Sequence, residues 1–250
     1  SSSMNHQAFM TGDANISGVR YTGTSLTGEL GMDPVTDPKK AEQMVVELFD
    51  ERFNQKWYPS YGFANTYAFM VRAETAEEYG LKKVSDLEEF SDEFRLGVDT
   101  YWMSRLGDGY DAFIDLYGFE FDNIYPMSLG ILYTALASDE IDVGLGYSTD
   151  GQIPASNLVL LEDDLNLFPP YDASPLATAE IIDEYPELDA IFKKLEGQIN
   201  EEQMQELNFI SENYLLEPQT VITEWLEENN YFEDVEPYLE PVEGGLFENG

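Results

Sequence analysis

The residues able to do chemistry are unevenly supplied in this chain. Cysteine is absent, and the only histidine is His6, near the start. Disulfides and thiolate metal sites are excluded, and a histidine-based metal site or triad has no partner residues. Neither a nucleophile elbow nor a glycine-rich phosphate loop occurs. Glu162-Asp163-Asp164 has the composition of a cation site but lacks the spaced pattern of a calcium loop, and it reads as a solvated turn. Paired acids could in principle serve a hydrolase, yet nothing sets two of them apart. What is abundant is aromatic surface: 16 Tyr, 15 Phe and 3 Trp. Ring faces attract cations. With 50 acidic residues against 12 basic ones, Arg105, beside a glycine-rich turn in SRLGDGY, stands out. A guanidinium fork suits a carboxylate; the competing reading is a surface salt bridge to a neighbouring acid.

The elements that must position these residues alternate between strand and helix. Short strands are expected at 19–22, 66–71, 94–98, 141–147 and 158–161. Helical spacing covers 38–53, with Met44, Val45, Leu48 and Phe53 on one side, and Asp37-Pro38 marks its start. Shorter helices are expected at 74–80, 85–90, 107–117 and 130–137, two of them stopped by Gly80 and Gly118. Trp57-Tyr58-Pro59 reads as a break. Helical runs follow at 175–184, 187–196, 201–212 and 217–229, with Trp225 inward. The pattern predicts an α/β protein with mostly parallel sheets. At 250 residues the chain could be one large domain or two small ones. A formal net charge of -38 repels nucleic acid and anionic headgroups and suits a salty or acidic medium. No run approaches the length of a membrane span and no signal peptide is visible, so Ser1–Met4 reads as a mature or trimmed end.

Several segments, in order, carry a resemblance. They are GDANISGVRYTGTSLTGEL (12–30), NTYAFMVRAETAEEYGLKKVSDL (65–87), SRLGDGYDAFIDLYGF (104–119), EIDVGLGYSTDGQI (140–153), LLEDDLNLFPPYDASPL (160–176), PELDAIFKKLEGQI (186–199) and MQELN (204–208). Together they resemble the glycine betaine/carnitine/choline-binding proteins of osmoprotectant ABC transporters. The resemblance implies a two-lobed periplasmic-binding-protein fold of type II that closes about a hinge. One lobe would hold 1–70 and 169–229, the other 71–168, leaving 230–250 as an acidic C-terminal tail. It also implies a strand and a helix ahead of the GDANISG-like segment, and both are expected to be missing from the first lobe.

The same resemblance assigns the site. A quaternary ammonium has no N–H to donate, so several aromatic rings must surround its methyl groups. The resemblance picks Tyr21, Tyr67, Tyr147 and Tyr171 as the cation cage and Arg105 as the carboxylate clamp. Thr22 and Thr24 of the YTGT turn, with Asn65, are expected to add polar contacts; the glycine between the threonines would allow a tight turn. Thr149 and Asp150 shape a loop or touch the ligand, Trp102 lines the pocket or simply packs, and Trp57 and Trp225 are structural. No metal, cofactor or catalytic residue is expected. The implied partners are a small quaternary ammonium ligand and a membrane permease with its cytoplasmic ATPase. The implied location is extracytoplasmic, as a lipid-anchored surface protein, a periplasmic protein or a domain fused to the permease. Two departures stay open: another trimethylammonium ligand such as ergothioneine, and a permease-associated domain that binds free ligand weakly.

Overall fold

A computed structural model describes residues 2–105, 107–233 and 245. Its strands are β1 (Ile16–Tyr21), β2 (Gln55–Trp57), β3 (Tyr67–Arg72), β4 (Arg95–Val98), β5 (Asn123–Pro126), β6 (Val143–Tyr147), β7 (Leu158–Leu160) and β8 (Ala173–Thr178). They form two separate sheets, one of three strands in the order β1-β8-β2 and one of five in the order β5-β4-β6-β3-β7. The expectation of mostly parallel sheets is corrected. The smaller sheet is wholly antiparallel, and in the larger one β4 runs parallel to β5 and β6 while β3 runs antiparallel to β6 and β7.

The five-stranded sheet is covered on both faces. Tyr67, Phe69 and Val71 of β3 join Leu145, Trp102 and Phe113 in one core, while Met70, between them, turns to Leu132, Leu136 and Ile141 in another. This is the two-residue alternation of a strand with both faces buried. Helix Tyr110–Tyr117 supplies the first cover and Leu129–Ala137 the second. The second helix lies so close that a Cβ on Gly144 would fall 2.5 Å from Leu136 Cδ1. Glycine in β6 therefore answers a close approach, as its sequence suggests.

The smaller sheet carries helix Pro38–Phe53, which Asp37 caps by accepting from the Lys40 amide at 2.9 Å. Its fully buried positions are Ala41, Val45 and Phe49; Met44, Leu48 and Phe53 flank them and stay half-buried. Phe49 meets Trp57 of β2 edge-on at 5.0 Å. Another core, with Phe63, Ala173, Leu207, Ile210, Val221 and Trp225, involves helices Glu201–Asn213 and Pro218–Glu228.

Residues 175–178, expected to open a helix, belong to β8; the helix is Ala179–Glu184. Trp57, expected to open the break Trp57-Tyr58-Pro59, closes the strand Gln55–Trp57. Ser2–Thr11 forms a helix directly ahead of Gly12. Residue 70, an expected lobe boundary, lies inside β3, whose pairing partners are β6 and β7. Of the expected acidic tail, 234–244 and 246–250 lie outside the described residues.

Basic side chains are drawn into ion pairs. Arg20 and Glu29 pair at 3.0 Å with side chains only 2% and 4% exposed, and Arg20 Nη1 donates to Asn5 of the first helix at 2.7 Å. Arg72 and Arg95 converge on Asp139 and Asp142, and Lys56 and Lys193 on Asp189. Among the described residues no helix is long and apolar enough to cross a membrane.

Candidate functional site

Two stretches connect the sheets side by side. Ala64 and Asp172 form an antiparallel bridge, the Asn65 amide donates to Tyr171 O at 3.1 Å, and the Ala173 amide donates to Phe63 O at 3.0 Å. Beside this crossing, β3 and β6 place Tyr67 opposite Tyr147 in register. Their rings stack at 4.9 Å with planes 24° apart, and the hydroxyls lie 3.4 Å from each other. Phe168 closes one side of Tyr67 at 5.7 Å.

Arg105 follows the short helical turn Trp102–Ser104. Its guanidinium carbon stands 5.4 Å from the centre of the Tyr67 ring and 5.8 Å from that of Tyr101. Nε donates to Asp108 Oδ1, and Nη2 donates to the Tyr171 hydroxyl at 2.8 Å; that hydroxyl donates in turn to Asp108 Oδ2 at 3.3 Å. Among the described residues Nη1 makes no hydrogen bond. Burial alone would lower the pKa of Arg105, but the pairing with Asp108 outweighs it and raises the value. Burial, with the Asp108 charge behind it, pushes the Tyr171 hydroxyl up to about 12. Burial and the Tyr147 hydroxyl raise Tyr67 as well. These phenols are neutral at physiological pH, so their rings act as faces and their hydroxyls as donors.

Three of the four expected cage tyrosines are thereby joined, Tyr67 and Tyr147 by stacking and Tyr67 and Tyr171 through Arg105. Tyr21 is not among them. Its ring makes no ring contact with the others among the described residues; it lines an uncharged cavity of about 850 Å³ with Tyr61, Phe63, Met204 and Trp225. Asn65 and Thr149 edge the same cavity, linked by a 3.1 Å hydrogen bond from the Thr149 hydroxyl to Asn65 Oδ1.

Thr22 and Trp102 are placed elsewhere. Thr22 is fully buried, and its hydroxyl donates to Pro170 O at 2.7 Å and accepts from the Asp172 amide at 3.2 Å. It supports the loop that carries Tyr171. Trp102 is also fully buried, edge-on to Phe69 at 5.9 Å, with Nε1 donating to Asp108 O at 2.7 Å. It packs in the core and props the turn that holds Arg105. YTGT is no tight turn either: Thr22 begins the helix Thr22–Thr27, and Thr24 sits half-buried in its first turn. Gly23 is required because a Cβ there would fall 2.8 Å from Pro170 O and 3.2 Å from Tyr171 Cε1.

Asp108, Tyr101 and Phe168 were not singled out from sequence. The signal for Asp108 was present: it lies three residues after Arg105 within SRLGDGY and is 4% exposed. Among the described residues no cluster of His, Asp and Glu could hold a metal ion.

Residues 1–228 match the family described as the substrate binding domain of ABC-type glycine betaine transport systems. The chain is 53% identical over 228 residues to the carnitine transport binding protein OpuCC of Listeria monocytogenes, covering 91% of this chain and 74% of that one. It is 32% identical over 222 residues to the ergothioneine transport permease/ergothioneine binding protein EgtU of Helicobacter pylori, covering 89% of this chain and 39% of that one. A crystal structure of a glycine betaine/carnitine/choline ABC transporter superposes with a TM-score of 0.90 at 49% identity, over 92% of this chain and 85% of that one. Lactococcal OpuAC, in its closed form with glycine betaine, shares the two-lobed fold at a TM-score of 0.53 and 14% identity, over 90% of this chain and 80% of that one. The chain belongs to the family of substrate-binding domains of ABC-type glycine betaine transporters, binding proteins and not enzymes.

Proposed function

We propose that the chain captures a quaternary ammonium osmoprotectant outside the cytoplasm and delivers it to a membrane permease driven by a cytoplasmic ATPase. The observation that carries the reading is the cationic guanidinium of Arg105 over the face of Tyr67, with Tyr147 stacked beside it and Tyr171 bonded to it. A site that already holds a cation against aromatic faces suits a trimethylammonium group. Each desolvated ring contact is worth about 2 kcal/mol. Arg105 Nη1 would meet the carboxylate of a betaine or of carnitine. Glycine betaine, carnitine and choline are the ligands to test. Support for the transport role comes from membership of the family and from the 53% identical carnitine transport binding protein.

The lobes, on this reading, are 1–66 with 169–229, and 67–168. β3 then stays whole, and bending falls on the paired stretches around Ala64 and Asp172. Tyr21 stands at the first lobe's margin of the cleft and joins the cage when a ligand draws the lobes together, because contacts in both lobes favour the closed state. A second reading has one observation in its favour, the 32% identity to a binding protein for ergothioneine that is also a permease. Calorimetric titration with glycine betaine, carnitine, choline and ergothioneine decides. Saturable binding of one of the first three supports the osmoprotectant reading, preference for ergothioneine supports the second, and absence of binding to all four by a folded sample refutes both.

A further inference from the structure

Within the segment Met204-Gln205-Glu206-Leu207-Asn208, Gln205 and Asn208 have so far been given no part in the site. Gln205 and Asn208 lie three residues apart on one face of helix Glu201–Asn213. Each carboxamide donates to a backbone carbonyl of the turn that follows β6: Gln205 Nε2 to Ser148 O at 2.7 Å, and Asn208 Nδ2 to Thr149 O at 2.8 Å. Gln205 is 9% exposed. The helix backbone itself meets the turn, since a Cβ on Gly151 would stand 2.4 Å from Phe209 N. On the turn's other side, Ser148 Oγ donates to Ala64 O at 3.0 Å and accepts from the Thr66 amide at 3.2 Å. Thr149 bonds Asn65, and Asp150 accepts from the Tyr133 hydroxyl. The turn is thus fixed from both sides, and Tyr147 is the residue that leads into it.

We propose that Gln205 and Asn208 are positioning residues of the ligand site. By fixing two consecutive carbonyls they hold the Tyr147 ring against Tyr67 and the Thr149 hydroxyl at Asn65. The inference rests on Tyr147 being a ligand residue. Carbonyls in such a turn have no ladder partner, and when buried they need a donor. A carboxamide supplies one without adding charge beside a cation site. The opposite face of the helix has a separate task, with Leu207 and Ile210 seated in the apolar core around Trp225. One face locates the helix and the other locates the turn.

The test uses the full chain with Gln205→Met, Asn208→Leu and, as a control, Leu207→Ala. The first two keep the shape and remove the donor; the third weakens the core and leaves both donors in place. Affinities for glycine betaine, carnitine and choline are measured by calorimetry, and the ring resonances of Tyr67 and Tyr147 by NMR with labelled tyrosine. Each donor variant is expected to weaken binding about tenfold and to shift the Tyr147 ring signals, which stacking on Tyr67 displaces. Leu207→Ala is expected to lower the unfolding midpoint with affinity and ring signals unchanged. Affinities within about twofold of the parent in both donor variants overturn the proposal, as does an equal loss of affinity in Leu207→Ala. Should the parent bind none of the three ligands, the reading of the site falls. The ring signals of the ligand-free protein then decide positioning: moved in the donor variants alone they support it, unmoved they overturn it.

Discussion

Arg105→Ala separates the two halves of a betaine. Arg105 holds Asp108 through Nε and Tyr171 through Nη2, and on the proposed reading Nη1 serves the ligand carboxylate. A hydrogen bond to a charged group is worth about 1.5–3 kcal/mol. Loss of the clamp should therefore weaken glycine betaine and carnitine roughly 10- to 150-fold. Choline carries no carboxylate and loses no such bond. The deletion also leaves Asp108, 4% exposed, without its counter-charge, and a carboxylate there attracts the ammonium group. Choline affinity should stay within about threefold of the parent or improve. Calorimetry on the three ligands, at fixed salt because exposed charges are screened, reads the difference directly. An equal loss for all three would show that Arg105 supports the site's structure and does not clamp a carboxylate.

Tyr171→Ala should weaken every quaternary ligand by about 2 kcal/mol, roughly 30-fold, because each presents the same cation; unchanged titrations would remove Tyr171 from the cage. Gly23→Ala places a methyl 2.8 Å from Pro170 O and 3.2 Å from the Tyr171 ring. It should cost about 1–3 kcal/mol of stability and lower affinity together, read from urea midpoints and titration; a neutral result would mean the loop yields freely. Trp102→Ala should lower unfolding free energy by about 3–5 kcal/mol, and a loss of binding at an unchanged urea midpoint would return Trp102 to the pocket. Tyr61 and Tyr171, both pushed up to about 12 by burial, are protonated in the folded state after the unfolded chain has ionised. Their contribution is intact below the ordinary tyrosine value of about 10 and lost as pH climbs from there to about 12. The urea midpoint should show no tyrosine-linked fall below about pH 10, and Tyr171→Phe should flatten the fall above it; an identical alkaline profile in that variant would refute the linkage.

The helices with caps were legible in the sequence because their signals are local. Asp37-Pro38 starts one helix, and Gly80 and Gly118 end two others with positive φ of 69° and 81°. β8 was not legible. Ala-Ser-Pro-Leu-Ala-Thr lacks a β-branched run, and Pro175 argues against a central strand. Yet the register on β1 shifts between Ser17 and Arg20, opposite Pro175, so the missing donor falls where the ladder is already interrupted. Pairing on both edges overrides propensity there. Of the site, the tyrosines and Arg105 could be named from motifs, whereas the duties of Thr22, Asp108, Gln205 and Asn208 depend on which backbone atoms the fold brings within reach. Both threonines of YTGT have the same chemistry, and only the return of the 169–172 segment shows that Thr22 holds it.

The pairing of arginines and lysines with neighbouring acids leaves a large surplus of carboxylates. Such a shell behaves as a salinity gauge. In dilute salt, fields reach about 30 Å at 0.01 M, so cations gather around the protein while its own acids repel one another. In brine the reach contracts to about 3 Å at 1 M; the repulsion fades and the folded state gains, but long-range enrichment of a cationic ligand disappears. Under high external salt the folded state is relieved of that repulsion, and on the proposed reading ligand capture rests on short-range contacts with the tyrosine faces and Arg105.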